Sequence, residues 1–325
     1  MSEKPAGWII LLLAAMVAIT PLAIDMYLPA MPLMAQQLNT HIGLVQQSLS
    51  IFLAFFGMSM LICGPLADTM GRRPLAIFGL SGFVLASIAL SLVSSIEWFL
   101  VWRAVQALCG AAATVVVPGI IRQLYQQHTA KGMSYVSMIM MLAPLLAPAI
   151  GSGILWLANW QMIFVTLAGY AVLILLLCWR YLPEIKPASA ETRLNFFSGY
   201  KVVFSCASAR PDIATSMFAS FSFFCFLTAV PFVYIQFFGV NEQQFSLLFG
   251  FNVLMLMLAN FINSRLVTRL GPQRMLRAGL AVAIVCASAL TLFNFWQFSL
   301  LFTVLAIAPL MASLSLIATN ADAMI

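Results

Sequence analysis

Gly64-Pro65-Leu66-Ala67-Asp68-Thr69-Met70-Gly71-Arg72-Arg73-Pro74 is a charged interruption between two long apolar runs. Its glycines allow a tight turn and close backbone approach. Asp68 with Arg72 and Arg73 forms a charged cluster at the mouth of the two runs, suited to latching two helix bundles together. The G-x-x-x-D-x-x-G-R-R spacing is more than an ordinary basic loop between spans supplies. The stretch Cys63–Gly71 returns as Asn263-Ser264-Arg265-Leu266-Val267-Thr268-Arg269-Leu270-Gly271, at an offset of 200 and with Thr268 in place of the acid. The same offset lays the tenth apolar run over the fourth, and the seventh to ninth over the first three. The chain therefore reads as six helices, a loop, and a second set that stops after four. Internal repeats of this kind are common in transporters.

Composition agrees. Of 325 residues, 63% are hydrophobic and 7% charged, against roughly 25% charged in a soluble domain. So few charges cannot cover a soluble globule of this size, which excludes soluble enzymes, disordered chains and nucleic-acid binders. The net charge of +6 is spread through loops between the apolar runs. Five of the six cysteines lie in apolar runs and no CxxC occurs, so neither a disulfide framework nor a zinc site is indicated.

A crossing takes about 20 mostly apolar residues. On that rule ten spans are expected, near 7–28, 43–66, 75–93, 98–121, 133–157, 162–181, 212–235, 245–266, 275–293 and 297–320. A β-barrel would show short alternating segments instead. The first run lacks a cleavage site and is read as a retained helix. With the N-terminus cytoplasmic, fourteen of the fifteen Lys and Arg fall on the inner side, as the positive-inside rule asks. The exception is Arg103, within a span. The stretch 182–210 reads as a cytoplasmic linker, in which Phe197, Tyr200 and Phe204 among Arg193 and Lys201 suggest an amphipathic helix on the inner leaflet. The divisions are thus an N-terminal six-helix bundle (1–181), the linker, and a second bundle (211–325) that breaks off after its fourth helix, two spans short of twelve.

Three further features carry chemistry. A charge in mid-span, such as Arg103, costs about 2.5–3.5 kcal/mol even on insertion scales. It needs a partner or a wet cavity, or it snorkels to the outer interface. Asp25, in Thr20-Pro21-Leu22-Ala23-Ile24-Asp25-Met26-Tyr27-Leu28-Pro29-Ala30-Met31-Pro32, lies at similar depth, so the two are expected to meet in one cavity. The other reading has Asp25 cap a helix broken by Pro29. Ala143–Gly153, with Pro144, Pro148, Gly151 and Gly153, kinks the fifth helix and lets a neighbour approach closely, or is only a small-residue packing face. His41 and His128 are loop residues. There is no P-loop to support ATP-driven pumping.

The Asp68 loop resembles the hallmark motif of the major facilitator superfamily, whose Asp also meets the eleventh helix. Arg103 with Gln106 and Gly110 resembles its fourth-helix motif, with Ala107 where a first Gly is usual. The fifth-helix stretch resembles its antiporter motif, with Ala147 for Gly. The Asp25–Pro32 run, the double-proline fifth helix and Pro231-Phe232-Val233-Tyr234-Ile235 together resemble the bicyclomycin-resistance (Bcr/CflA) family of drug:proton antiporters, from about residue 8 to the end of the chain. The resemblance implies an all-α polytopic protein of major facilitator fold in the bacterial inner membrane. It would export small xenobiotics in exchange for protons, as a monomer without a cofactor. Asp25 and Arg103 would serve proton coupling, and Gly64, Asp68, Gly71, Arg72 and Arg73 gating. Asp25, Tyr27, Met138, Phe224 and Tyr234 are candidate substrate contacts by helix position. Two other readings stand beside it: proton-coupled transport of a physiological solute, and a chain that inserts without transporting because two spans are missing.

Cys206 is the cysteine expected outside the spans. A membrane-impermeant maleimide should spare it in intact cells and label it in inverted vesicles. Labelling from outside would reverse the topology.

Overall fold

The computed structural model describes residues 7–125, 129–183, 205–207, 209–295 and 300–322, and among these every regular element is helical. The expected amphipathic helix with Phe197, Tyr200 and Phe204, and His128, lie outside the described residues. Nine of the described helices are long and apolar enough to cross a membrane. A tenth, Thr129–Leu157, has an apolar described stretch at Leu142–Leu157.

The first span, Trp8–Gln37, is longer than expected because the helix breaks after Asp25 and resumes at Met31. The second is Ile42–Met70, the third Arg72–Leu92, the fourth Ile96–Tyr125, the fifth Thr129–Leu157 and the sixth Gln161–Tyr181. The seventh is Arg210–Pro231 continued by a π-helical turn at Phe232–Phe237. The eighth is Glu242–Leu270, the ninth Pro272–Phe295 and the tenth Leu300–Asp322.

The expectation of a loop over 64–74 is corrected. The second helix runs through Pro65 to Met70, and Arg72 already opens the third. A spanning helix tolerates proline where neighbours satisfy the freed carbonyl, so Gly64 is a helical residue. The whole reversal falls on Gly71, at φ 96° and ψ 151°. That region of backbone space is open essentially to glycine alone. Gly271 makes the same turn between the eighth and ninth spans, at φ 79° and ψ 156°. Gly71 N–H donates to the carbonyl of Ala67 at 3.2 Å, and Gly271 N–H to that of Val267 at 2.9 Å. The repeat is therefore one of backbone geometry, hydrogen bond for hydrogen bond.

The chain forms two compact units, Met1–Leu194 and Asn195–Ile325. In the first, the fourth span packs on the third, second and first. Gly79 and Gly82 of the third span make this possible. A Cβ on Gly79 would lie 2.7 Å from the Ala113 nitrogen and the Cys109 carbonyl, and one on Gly82 would collide with the Cys109 sulfur. In lipid, where apolar side chains gain little by leaving the bilayer, such small-residue approaches supply the van der Waals contact that joins helices. In the second unit the tenth span packs on the ninth, eighth and seventh. Gly279 faces Ser313 and Ile317 there, 200 residues on from Gly79 and Ala113. The fifth span covers the first, and the sixth covers the third. The seventh and ninth spans carry no such cover among the described residues. Half of the third span's apolar window is buried, against 11% of the ninth's.

Gly271→Ala should cost about 1–3 kcal/mol, although a Cβ there meets nothing within 4 Å, because the cost lies in the backbone. Gly169→Ala, equally open but inside the sixth helix, should be neutral or slightly stabilising. Thermal unfolding in detergent separates the two. Equal melting temperatures would contradict the strain argument.

Candidate functional site

The polar centre of the first unit begins with the break in the first span. The helix from Gly7 ends at Asp25, Met26 and Tyr27 form a turn, and Leu28–Ala30 make one 3₁₀ turn before Met31. Pro29 and Pro32 are the second residues of the two new segments, within the first turn, where a missing N–H costs nothing. The end of the Gly7–Asp25 helix leaves carbonyls without their usual donors, and within a bilayer each needs one. Met26 N–H donates to the carbonyl of Leu22 at 3.1 Å. The carbonyl of Ala23 receives Arg103 Nη1 at 3.1 Å.

Arg103 is fully buried and does more than cap. The same Nη1 donates to Gln106 Oε1 at 2.7 Å. Gln106 Nε2 donates to Ser87 Oγ at 2.8 Å, and Ser87 donates to the carbonyl of Phe83 at 2.7 Å. The guanidinium lies 4.5 Å from the Tyr27 ring centroid and 4.4 Å from that of Phe52. Desolvated cation–π contacts of this kind are worth about 2 kcal/mol. Ser48 Oγ donates to the carbonyl of Val45 at 2.6 Å. Its proton is thereby committed, so the Tyr27 hydroxyl is the donor in the 3.0 Å bond to Ser48. One cation thus ties the first four spans. Arg103 Nε and Nη2 remain without a partner.

Asp25 is 3% exposed, and its side chain makes no ion pair or hydrogen bond among the described residues. The expected meeting of the two intramembrane charges is corrected here. Arg103 reaches the first span at the Ala23 carbonyl, not at the Asp25 carboxylate. Its Nη1 is committed to that carbonyl and to Gln106, and the guanidinium lies within 4.5 Å of the Tyr27 and Phe52 ring centroids. It is held inside the bundle and does not snorkel.

The fifth-helix glycines separate in role. A Cβ on Gly151 would collide with the Met26 carbonyl oxygen, and one on Gly153 would meet nothing within 4 Å. The fifth span therefore lies against the break in the first through Gly151. Pro144 and Pro148 lie inside that helix.

At the end of the second and third spans, Arg72 Nη2 lies 3.4 Å from Asp68 Oδ1. The exposure of this ion pair makes it worth little in stability. Arg72 lies over Gly119 of the fourth span, where a Cβ would collide with its guanidinium. Arg73 Nη2 donates to the carbonyl of Trp179 at 2.6 Å, capping the last turn of the sixth span.

Of the candidate substrate contacts, Tyr27 and Tyr234 are both fully buried. Tyr234, in the π-helical turn, accepts a bond from Asn252 Nδ2 at 3.1 Å and meets Phe245 edge-on at 6.2 Å. Phe224 is half-buried and meets Phe223 edge-on. The Met138 side chain lies outside the described residues. His41 is exposed at the start of the second span. Reading the sequence missed Phe52, Ser48, Ser87 and the Ala23 carbonyl. The two serines are isolated hydroxyls in apolar runs, a usable signal. Phe52 gives none, since a phenylalanine in a span reads equally as lipid contact.

A family model described as Major Facilitator Superfamily matches residues 13–324. A bicyclomycin resistance protein homolog of Haemophilus influenzae is 32% identical over 92% of this chain and 77% of its own length. A chloramphenicol resistance protein of Pseudomonas aeruginosa is 30% identical over 91% of this chain and 72% of its own. Among solved structures, a bacterial homolog of the human lysosomal transporter Spinster, inward-facing and unoccupied, superposes with a TM-score of 0.74 at 16% identity, over 99% of this chain and 79% of that one. A D-xylose-proton symporter does so at 0.69 and 16%, over 95% and 80%. At these identities the structures speak to the fold alone.

Gly151→Ala should lower stability by about 1–3 kcal/mol, the range for overpacking a tight contact, because the helix bearing it must retreat from Met26. Gly153→Ala should leave the melting temperature unchanged. A reversed order would remove Gly151 from the contact.

Proposed function

Since the chain belongs to the Major Facilitator Superfamily, we propose that it exports small xenobiotic molecules across the bacterial inner membrane in exchange for protons. The observation that carries this reading is the fully buried Arg103 holding the Ala23 carbonyl, two residues before an unpaired, nearly buried Asp25 at a break in the first span. Intramembrane ionisable groups are costly and mark ion or substrate paths. The similarity to bicyclomycin- and chloramphenicol-resistance proteins supports the cargo class. The working parts of this reading are a bundle over 1–181, a cytoplasmic linker over 182–210 and a second bundle over 211–325. The N-terminus is cytoplasmic, and no catalytic step is involved.

In this mechanism Asp25 carries the proton. Facing outward it takes one up as substrate leaves. Facing inward it releases the proton, and substrate binds again. Arg103 is the positioning group: it holds Ala23, two residues before Asp25, and so fixes which way the broken segment presents the acid. Gln106 and Ser87 hold Arg103 from the other side. Asp68 with Arg72 and Arg73 marks the cytoplasmic mouth, where an exposed ion pair can break and reform at little cost. Tyr27 and Tyr234 act in this reading as supports for the cavity wall.

The test is substrate-induced proton release in proteoliposomes, using the whole open reading frame and bicyclomycin and chloramphenicol as first probes. Wild type should release protons on substrate addition. Asp25→Asn keeps the shape but cannot titrate, so it should abolish release while substrate binding persists. Arg103→Lys keeps the charge but loses the planar fork, and should retain only part. Normal release from Asp25→Asn would take that residue out of the mechanism.

A further inference from the structure

We infer that the edge of the first unit where the first, third and sixth spans meet is a site for the phosphodiester of an anionic phospholipid, held between Arg73 and Arg180 and flanked by Trp8, Trp179 and Tyr181. The start of an odd-numbered span and the end of an even-numbered one lie on the same side of the membrane, so these five residues share one interface.

Their contacts bring them together. Arg73 Nη2 lies 2.6 Å from the Trp179 carbonyl oxygen, and that carbonyl is bonded to the nitrogen of Arg180. The Arg73 guanidinium therefore reaches the backbone adjoining Arg180. Arg180 is exposed, with its guanidinium carbon 5.2 Å from the Tyr181 ring centroid. Tyr181 meets Trp8 edge-on at 4.8 Å. Trp8, Trp179 and Tyr181 remain 45%, 63% and 47% exposed.

The chemistry fits a lipid headgroup better than solvent. Indole and phenol rings favour the headgroup level, with their apolar bodies toward the chains. Two guanidinium groups match the paired oxygens of a phosphodiester. Basic pockets between spans bind anionic headgroups. Arg73 uses one terminal nitrogen, Nη2, on Trp179. The nearby acid is occupied: Asp68 faces Arg72. Beyond Tyr181 the sequence adds Glu184 and Lys186, which cancel. The residues 200 places on from Arg72 and Arg73 are Pro272 and Gln273.

Native mass spectrometry of the detergent-purified protein, titrated with palmitoyl-oleoyl phosphatidylglycerol or phosphatidylcholine, tests the site. Phosphatidylglycerol should bind first and more tightly. Arg180→Gln should weaken it about fivefold, and Arg73→Gln with Arg180→Gln about thirtyfold, with phosphatidylcholine scarcely affected. Arg269→Gln, an exposed charge of the second unit, should change nothing. Because Arg73 also caps the sixth span, Arg180→Gln alone decides if the double variant fails to fold. The proposal is overturned by an equal loss in Arg269→Gln, which would mean general charge attraction. It is overturned by no preference for phosphatidylglycerol, which would leave Arg73 a helix cap only. Displacement of the lipid by equimolar inorganic phosphate would mean a free-phosphate site and would also overturn it.

Discussion

A carbonyl oxygen inside a membrane must have a donor, and the break after Asp25 creates one, at Ala23, that the helix itself does not satisfy. The donor is Arg103, 80 residues away in the fourth span. Everything else at the centre of the first unit follows from accommodating that cation without a carboxylate. Gln106 accepts its second bond, Ser87 anchors Gln106, and the rings of Tyr27 and Phe52 take the place of water beside the guanidinium. A buried charge with two nitrogens still unpartnered is expensive to keep. Its retention at the break makes sense if what it stabilises is a movable joint in the span that bears Asp25.

The fifth span adds a steric constraint to the electrostatic one. Gly151 lies where a Cβ would overlap the Met26 carbonyl, so the break is gripped from one side by a cation and closed from the other by a bare helix backbone. A shift of the fifth helix would be felt at Met26, and from there at Asp25 one residue earlier. The two prolines inside this helix remove intrahelical hydrogen bonds, the usual cause of a helix kink.

The two units share backbone and differ in chemistry. The Gly71 and Gly271 turns and the Gly79 and Gly279 contacts recur at one offset: a reversal in positive-φ space favours glycine, and a close helix crossing leaves little room for a side chain. The polar chemistry does not recur. The first unit carries a cation, a carboxylate and hydroxyls. The second joins its helices with amides: Asn252 to Tyr234, Asn260 to Ser315 and Asn320 to Asn263. Neutral amides are inexpensive glue between spanning helices, whereas charges are retained where they act. Among the described residues the buried charges, Asp25 and Arg103, both lie in the first unit.

The sequence by itself determined the ten helices, the repeat and the positions of the charges that matter. Apolar run length, the offset of 200 and the cost of an intramembrane charge are local or additive properties that a single chain displays. It also marked Gly71, though as part of a longer loop, since a helix passing through Pro65 depends on neighbours that only the folded chain supplies. The partner of Arg103 was not legible. Depth along two spans pointed to Asp25, and the choice between a carboxylate and a backbone carbonyl depends on where the first helix breaks. The difference between Gly151 and Gly153 was likewise decided by the tertiary structure alone. Both are glycines in one motif, two residues apart, and only the packing of the fifth span onto Met26 puts one in contact and leaves the other in open space.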